Sequence, residues 1–357
     1  VQKNRELIAL TSIRGIAALW VAIFHFLIPI NRDVACITCY FPIIEKSYLA
    51  VDLFFVLSGY ILTFVYQGKS TLTDLSGYFK FMRARLARIY PLHFVCLFAF
   101  LIVAGLPVLL IDEISFNPRN NPETFFYNLI LVHAWGTYDD SSWNNPSWSI
   151  STEFFAYLTL PFMLTLLTKN KLLIKIILFT SIILVLLYPF TGGGIGTGKE
   201  VIRCLSGFYL GVTGYFVFNT IKLSFTKTSI AQIAIFVLIL LSLYSNLNDS
   251  FTVLLWFPLI YSLSSDSGIL AKLLQNRFLY FLGTISYSIY LTHAIVLLAY
   301  RNIRVFAFES PINLGLFNEG LLLIGLIVIT IALSYFTYIY IESHFRRILN
   351  PSKSITK

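Results

Sequence analysis

Arg14 and His25 stand in one apolar run, Ile13 to Ile28, that otherwise holds only glycine, alanine, aliphatic and aromatic residues. If the run is helical, the eleven steps between them come to about three turns, so both side chains share a face roughly 16 Å apart along the axis. A guanidinium inside a membrane helix needs a partner or a wet cavity. An imidazole on the same face takes up and releases a proton near neutral pH. The chemistry this suggests is general-base catalysis, with His25 accepting a proton from an attacking hydroxyl and Arg14 serving as an anion contact or an orienting charge. A polar pair that only holds helices together is the plainer alternative.

Four other groups carry chemistry. Asp52 opens the run Asp52-Leu-Phe-Phe-Val-Leu-Ser58-Gly59; a carboxylate there must be paired or near the surface, and it is expected to act through Arg14 or in the outer-facing cavity. Ser58-Gly59 is a small pair that permits close helix approach. Arg85 and Arg88 lie three apart on one helical face and could clamp a phosphate; a basic flank touching lipid headgroups explains the spacing equally well. Pro91 then reads as the start of a span. From Asn145 to Tyr157, Trp148, Ser149, Ser151 and Glu153 place hydroxyls and a carboxylate at the start of a span, as a polar acceptor site would; an interfacial cap with Trp148 as a belt residue is the alternative. Ser286, Tyr290 and His293 form a polar stripe that could line the same cavity as His25 or serve as hydrogen-bonded helix glue. Glu342 and Arg346, at i and i+4, read as a structural ion pair. His133 and His344 have no resolvable role.

The elements that must hold these residues are membrane helices. Hydrophobic residues make up 57% of the 357 residues and charged residues 12%, about half the ~25% of an ordinary soluble domain. Mean hydropathy is +0.78. Ten apolar stretches predict spans over 7–30, 48–67, 91–111, 147–168, 172–190, 200–218, 229–245, 251–265, 279–300 and 316–341, most of them near the ~20 residues that cross a bilayer. Between spans, eighteen of the 26 Lys and Arg fall on the side of both termini and seven on the other, with Arg14 inside a span. That asymmetry puts both termini in the cytoplasm. It also accounts for the net charge of +9 without a nucleic-acid partner. The expected fold is all-α: a polytopic transmembrane bundle of about ten spans in one domain.

Other motifs carry less. The first apolar stretch is too long and polar for a signal peptide, and the chain opens at Val1, as it would if a start residue or short leader were missing. Cys36-x-x-Cys39 has no second pair or nearby His and is weak for zinc; it fits a local disulfide or two free thiols, and no metal is expected. Cys96 and Cys204 read as packing residues. The glycines of 191–198 lack the Gly-Lys-Ser/Thr ending of a phosphate loop. Phe125 to Trp135 is apolar but too short to cross, so it re-enters or lies at the interface. The absence of a repeat argues against inverted-repeat transporters.

Together these residues resemble the acyltransferase 3 family of integral-membrane O-acyltransferases, from Arg5 to about Arg347. The resemblance rests on Arg14 and His25 in the first span, Asp52 to Gly59, Arg85-x-x-Arg88, Pro146 to Glu153, and Ser286 to His293. Each motif alone is weak; all five in order are specific. The resemblance implies a membrane domain over 1–348 with a short cytoplasmic tail at 349–357. It implies transfer of an acetyl group from cytoplasmic acetyl-CoA to a hydroxyl of an envelope carbohydrate, such as O-antigen of lipopolysaccharide or another lipid-linked or cell-wall glycan, at the inner membrane. It implies that His25 is catalytic and that Arg85 and Arg88 hold the donor. Two departures stand out. Ser343 and His344 follow Glu342 where a proline is common, and some members carry a further periplasmic domain, so this chain is expected to complete the transfer itself or pass the group to a separate protein. A transporter or flippase for an acylated or anionic sugar is the rival reading.

On that basis the expected catalytic residues are His25, Arg14 and Glu153, with Arg85, Arg88 and Arg14 on the donor. Asp52, Trp148, Ser149, Ser151, Tyr290 and His293 are expected on the acceptor.

Overall fold

The computed structural model describes residues 6–30, 42–68, 74–111, 119–136, 142–187, 198–218, 221, 224–245, 247–307 and 315–349. Among these the backbone forms helices and turns and no strand. The long helices are α1 (Ile8–Ile30), α2 (Leu49–Tyr66), α3 (Leu75–Ile111), and, after the short α4 (Pro122–Leu129), α5 (Trp148–Lys169), α6 (Lys171–Leu187), α7 (Lys199–Phe218), α8 (Phe225–Tyr244) and α9 (Ser250–Leu263). Short α10 (Ile269–Leu274) and α11 (Arg277–Thr284) lead into α12 (Ser286–Ala307) and α13 (Gly315–Thr337). A π-helical segment, Tyr338–Ser343, then joins α13 to α14 (His344–Leu349).

Each of the ten apolar stretches is helical over most of its described residues, because a backbone in hydrocarbon must satisfy its polar groups internally. Among the described residues, seven helical stretches are long and apolar enough to cross a membrane, and α11 with α12, bent by 67°, would make an eighth. The described parts of α6 and α9 have 17 and 14 residues and are shorter than the ~20 that cross unaided. The chain is a multi-pass membrane protein. Its outer surface agrees, since Ile324, Val328, Phe336 and Phe179 expose large apolar side chains of the kind that face lipid.

Three local features position the site. The first corrects the sequence reading at Pro91: α3 runs unbroken from Leu75 through Pro91, so the helix that carries Arg85 and Arg88 is continuous with the apolar stretch after Pro91 instead of ending before it. The second is close contact between helices. A Cβ on Gly59 would stand 2.0 Å from the Phe208 carbonyl oxygen, and one on Gly283 2.0 Å from that of Thr11, so α2 meets α7, and α11 meets α1, at distances only glycine allows. The third is the break at Ile285 between α11 and α12. With Gly283 pressed on α1, the bend sets the Ser286–His293 stripe alongside α1 and α3.

The segment Phe125 to Trp135 is α4 and its following turn, opened by an Asn121 capping box. It is fastened to the bundle by His93 Nε2, 2.8 Å from the Asn128 carbonyl, and by Ser151, whose hydroxyl donates to the Leu131 carbonyl at 2.8 Å. His133 is in the turn, 3.1 Å from Ser147 Oγ. Burial pushes its imidazole down to about 3, so it stays neutral. Cys36, Cys39 and 191–197 lie outside the described residues.

Candidate active site

Five helices enclose a cavity of about 150 Å³. Arg14 enters from α1, Ser58 from α2, Arg85 and Arg88 from α3, Ser149, Glu153 and Tyr157 from α5, and Ser286, Tyr287 and Tyr290 from α12. Phe54, Phe55, Ile61 and Ile89 supply apolar wall. Three guanidiniums therefore converge on one space with a single lining carboxylate.

The three arginines are held differently. Arg85 stacks against Tyr66 and Phe81, 5.6 and 5.8 Å from their ring centres, with Nη2 3.5 Å from the Tyr66 hydroxyl. Arg88 is over the Tyr287 ring at 5.6 Å and forms an ion pair with Glu342. Arg14 forms no ion pair, and neither does Arg85, among the described residues. Glu342 was expected to pair with Arg346. That contact is present at 3.8 Å, but Arg346 is half-exposed and the carboxylate is buried. Its close partner is Arg88, and Ser288 Oγ donates to Glu342 Oε2 at 3.3 Å. The π-helical segment puts Glu342 there, and a wider helical turn of this kind often marks a functional position.

Glu153 accepts hydrogen bonds from Ser58 and, at 2.6 Å, from the Tyr157 hydroxyl. Its carboxylate and Arg14 attract one another across the cavity. Ser149 Oγ lies 3.0 Å from the Tyr290 hydroxyl. Ser286 Oγ is buried without a hydrogen-bond partner among the described residues, which leaves a hydroxyl at the cavity wall for a ligand.

His25 is beyond this wall. Its Nδ1 is 3.0 Å from the Val21 carbonyl oxygen and 3.2 Å from His293 Nε2, and the two imidazoles stack with centres 5.1 Å apart. His293 is buried, with Nδ1 3.2 Å from the Ile289 carbonyl oxygen. Tyr290 separates the two regions: it lines the cavity, and its ring centre is 6.0 Å from that of His293. Arg14 and Glu153 thus share the cavity, while His25 and His293 form a second cluster next to it.

Other expected site residues have different surroundings. Asp52 does not act through Arg14. It accepts two hydrogen bonds from Arg203, Nε at 2.9 Å and Nη2 at 2.6 Å, in a buried pair. The Arg203 guanidinium lies 5.4 Å from the Trp148 ring centre and also donates to the Tyr48 carbonyl. Trp148 is buried between this cation and Phe55. Ser151 is fully buried, donating to Leu131 and accepting from the Ala134 amide. Asp52 and Ser151 are therefore committed to the protein, and Trp148 is largely so.

Sequence reasoning missed Arg203, counted as a loop cation, because nothing links it to Asp52 along the chain. Tyr157 could have been found from its i+4 spacing to Glu153. Among the described residues no group of three or more His, Cys, Asp or Glu is placed to hold a metal ion.

Residues 7–339 match the model of the family described as an acyltransferase domain. Among relatives, the chain is 32% identical over 164 residues to "Acyltransferase MdmB" of Streptomyces mycarofaciens, a stretch that is 45% of this chain and 40% of that one. It is 41% identical over 106 residues to "Protein 2 in picA locus" of Rhizobium radiobacter, 28% of this chain and 50% of that one. The matched stretches thus span half or less of those relatives. No solved structure matches.

Proposed function

The chain belongs to the acyltransferase-domain family, and on that premise we propose that it is a membrane O-acyltransferase, moving an acetyl group from acetyl-CoA to a hydroxyl of an envelope carbohydrate such as O-antigen or another lipid-linked or cell-wall glycan. In this reading the bundle crosses the inner membrane ten times, with both termini and the Arg85 end of α3 on the cytoplasmic side. The observation that carries it is the cavity in which, among the described residues, Arg14 and Arg85 present guanidiniums that form no ion pair, with Glu153 facing Arg14 across the space and apolar walls beside them. Unpaired cations in a membrane interior are costly and mark an anion site. Phosphates beside an apolar arm suit such a site.

The residues then divide the work. Arg85, braced by Tyr66 and Phe81, and Arg14 bind donor phosphate, with Arg88 steadied by Glu342 beside them. The pantetheine arm follows the apolar wall toward Tyr290. His25 takes the proton of the acceptor hydroxyl as its oxygen bonds to the thioester carbonyl carbon. Collapse breaks the carbon–sulfur bond, and the proton returns from His25 to the departing thiolate. The hydroxyls of Ser149 and Tyr290, at the partition between the regions, are placed to donate to the developing oxyanion. Glu153, held by Ser58 and Tyr157, balances Arg14.

The test uses membranes from cells making the protein, supplied with acetyl-CoA labelled in the acetyl group. Label should enter membrane carbohydrate, and His25→Ala and Arg85→Ala at equal protein level should each depress it strongly. Undiminished label in both variants would overturn the reading, and carbohydrate movement without acetyl consumption would favour a carrier.

A further inference from the structure

The histidine pair has a feature that contact between two helices does not require: both rings turn Nδ1 toward a carbonyl oxygen four residues back on their own helix, Val21 for His25 and Ile289 for His293. A carbonyl only accepts a hydrogen bond, so each Nδ1 carries the proton and each Nε2 keeps a lone pair. The contact between the rings runs from His25 Nδ1 to His293 Nε2, at 3.2 Å. With that assignment it is a hydrogen bond in which His25 donates to both Val21 and His293. The opposite assignment would set the bare Nδ1 of His293 against the Ile289 carbonyl, lone pair to lone pair.

We propose that His293 is a positioning residue whose lone pair at Nε2 joins the Val21 carbonyl in holding the His25 proton at Nδ1, leaving His25 Nε2 as the nitrogen that accepts the hydroxyl proton. This rests on the reading of His25 as the base. Several surroundings support it. His25 Nε2 makes no hydrogen bond among the described residues, so its lone pair is available. His293 is fully buried and His25 only partly so, so of the two rings His25 is the one a reactant can reach. Phe26 packs edge-on against His293 at 6.3 Å, and Tyr290 flanks it, so the inner ring cannot turn without repacking. When His25 gains a proton at Nε2, its Nδ1–H becomes a charged donor already held by two acceptors, and hydrogen bonds to a charged group are the stronger kind.

A pair serving only as helix glue would be indifferent to which nitrogen of His25 is protonated, and that difference is measurable. Protein labelled with 15N-histidine is reconstituted in lipid nanodiscs, and the His25 signals are identified by their loss in His25→Ala. The expected spectrum shows His25 protonated at Nδ1 and bare at Nε2. His293→Phe, which keeps a ring but no acceptor, should give mixed His25 tautomers and lower acetyl transfer from labelled acetyl-CoA about 10- to 100-fold, the range of one hydrogen bond to a charged group. His293→Gln, which offers an acceptor oxygen, should keep the tautomer and most of the rate. A wild-type His25 protonated at Nε2, or a His293→Phe spectrum like the wild type, overturns the proposal. Should His293→Phe fail to accumulate, the wild-type and His293→Gln spectra decide it. Full transfer by His25→Ala would instead overturn the base assignment, and the spectrum reports on the pair separately.

Discussion

The cationic cavity and the histidine pair are neighbours on α1 and α12, yet they are built by opposite means. The cavity draws side chains from five helices, and its charged groups are held across long chain separations: Arg88 by Glu342, and Glu153 by Ser58, with Tyr157 adding a bond from one turn away. The histidine pair needs two helices, and each ring is anchored by its own backbone one turn away. An extended anion must be met from several sides, so a site for it requires an assembled bundle. A base needs one nitrogen aimed and one held, which a helix can largely supply from its own i−4 carbonyl. Tyr290 is where the two designs touch, with its hydroxyl at the cavity and its ring against His293.

Substitutions can separate the regions, and the largest effect belongs to the histidines. His25→Ala should reduce acetyl transfer by about 100- to 10,000-fold, the usual worth of a general base, with the apparent KM for acetyl-CoA little changed. A large rise in that KM would place His25 in donor binding and erase the distinction.

Next is the buried ion pair of the cavity. Glu342→Ala leaves Arg88 buried without its partner, and removing one member of such a pair costs about 3–5 kcal/mol. Thermal unfolding in detergent should show it, and Arg88→Met in the Glu342→Ala background should restore much of the loss. Asp52→Ala should destabilise to a similar degree through Arg203 without raising KM for either substrate. A selective KM effect for the acceptor would return Asp52 to substrate binding.

Arg85→Ala comes third. One charge-assisted contact is worth about 1.5–3 kcal/mol, so kcat/KM for acetyl-CoA should fall about 10- to 150-fold, mainly through KM. The smallest change is Tyr290→Phe, which keeps the ring and removes the hydroxyl near Ser149. A loss of about 1 kcal/mol, seen in kcat more than KM, would place that hydroxyl on the reacting group. No loss would leave Tyr290 as a partition only.

Much of the site is legible in the chain itself. Arg14, His25, Glu153 and Tyr290 stand out because polar residues inside apolar runs are expensive and need a reason, and Arg85 and Arg88 stand out by their shared helical face. Helical spacing puts Arg85 beside Arg88 and Tyr290 beside His293, as the structure does. What spacing cannot supply is partners. Periodicity fixes which face of a helix a residue occupies, but not which helix meets that face. Asp52 and Arg203 are 151 residues apart and His25 and His293 are 268 apart, and no local pattern joins them. Pro91 misleads for a related reason: a proline usually marks a helix boundary, but α3 continues through it.

The sequence by itself determined an all-helical membrane chain and the places where polar groups interrupt its apolar runs, because hydropathy and helical period are properties of the chain alone. Only the tertiary structure decided that Arg14 and Arg85 form no ion pair among the described residues, that Arg88 belongs to Glu342 and Asp52 to Arg203, and that His25 leans on a second histidine. A buried charge is satisfied by whatever lies within a few ångströms, and that neighbour is chosen by how the helices pack.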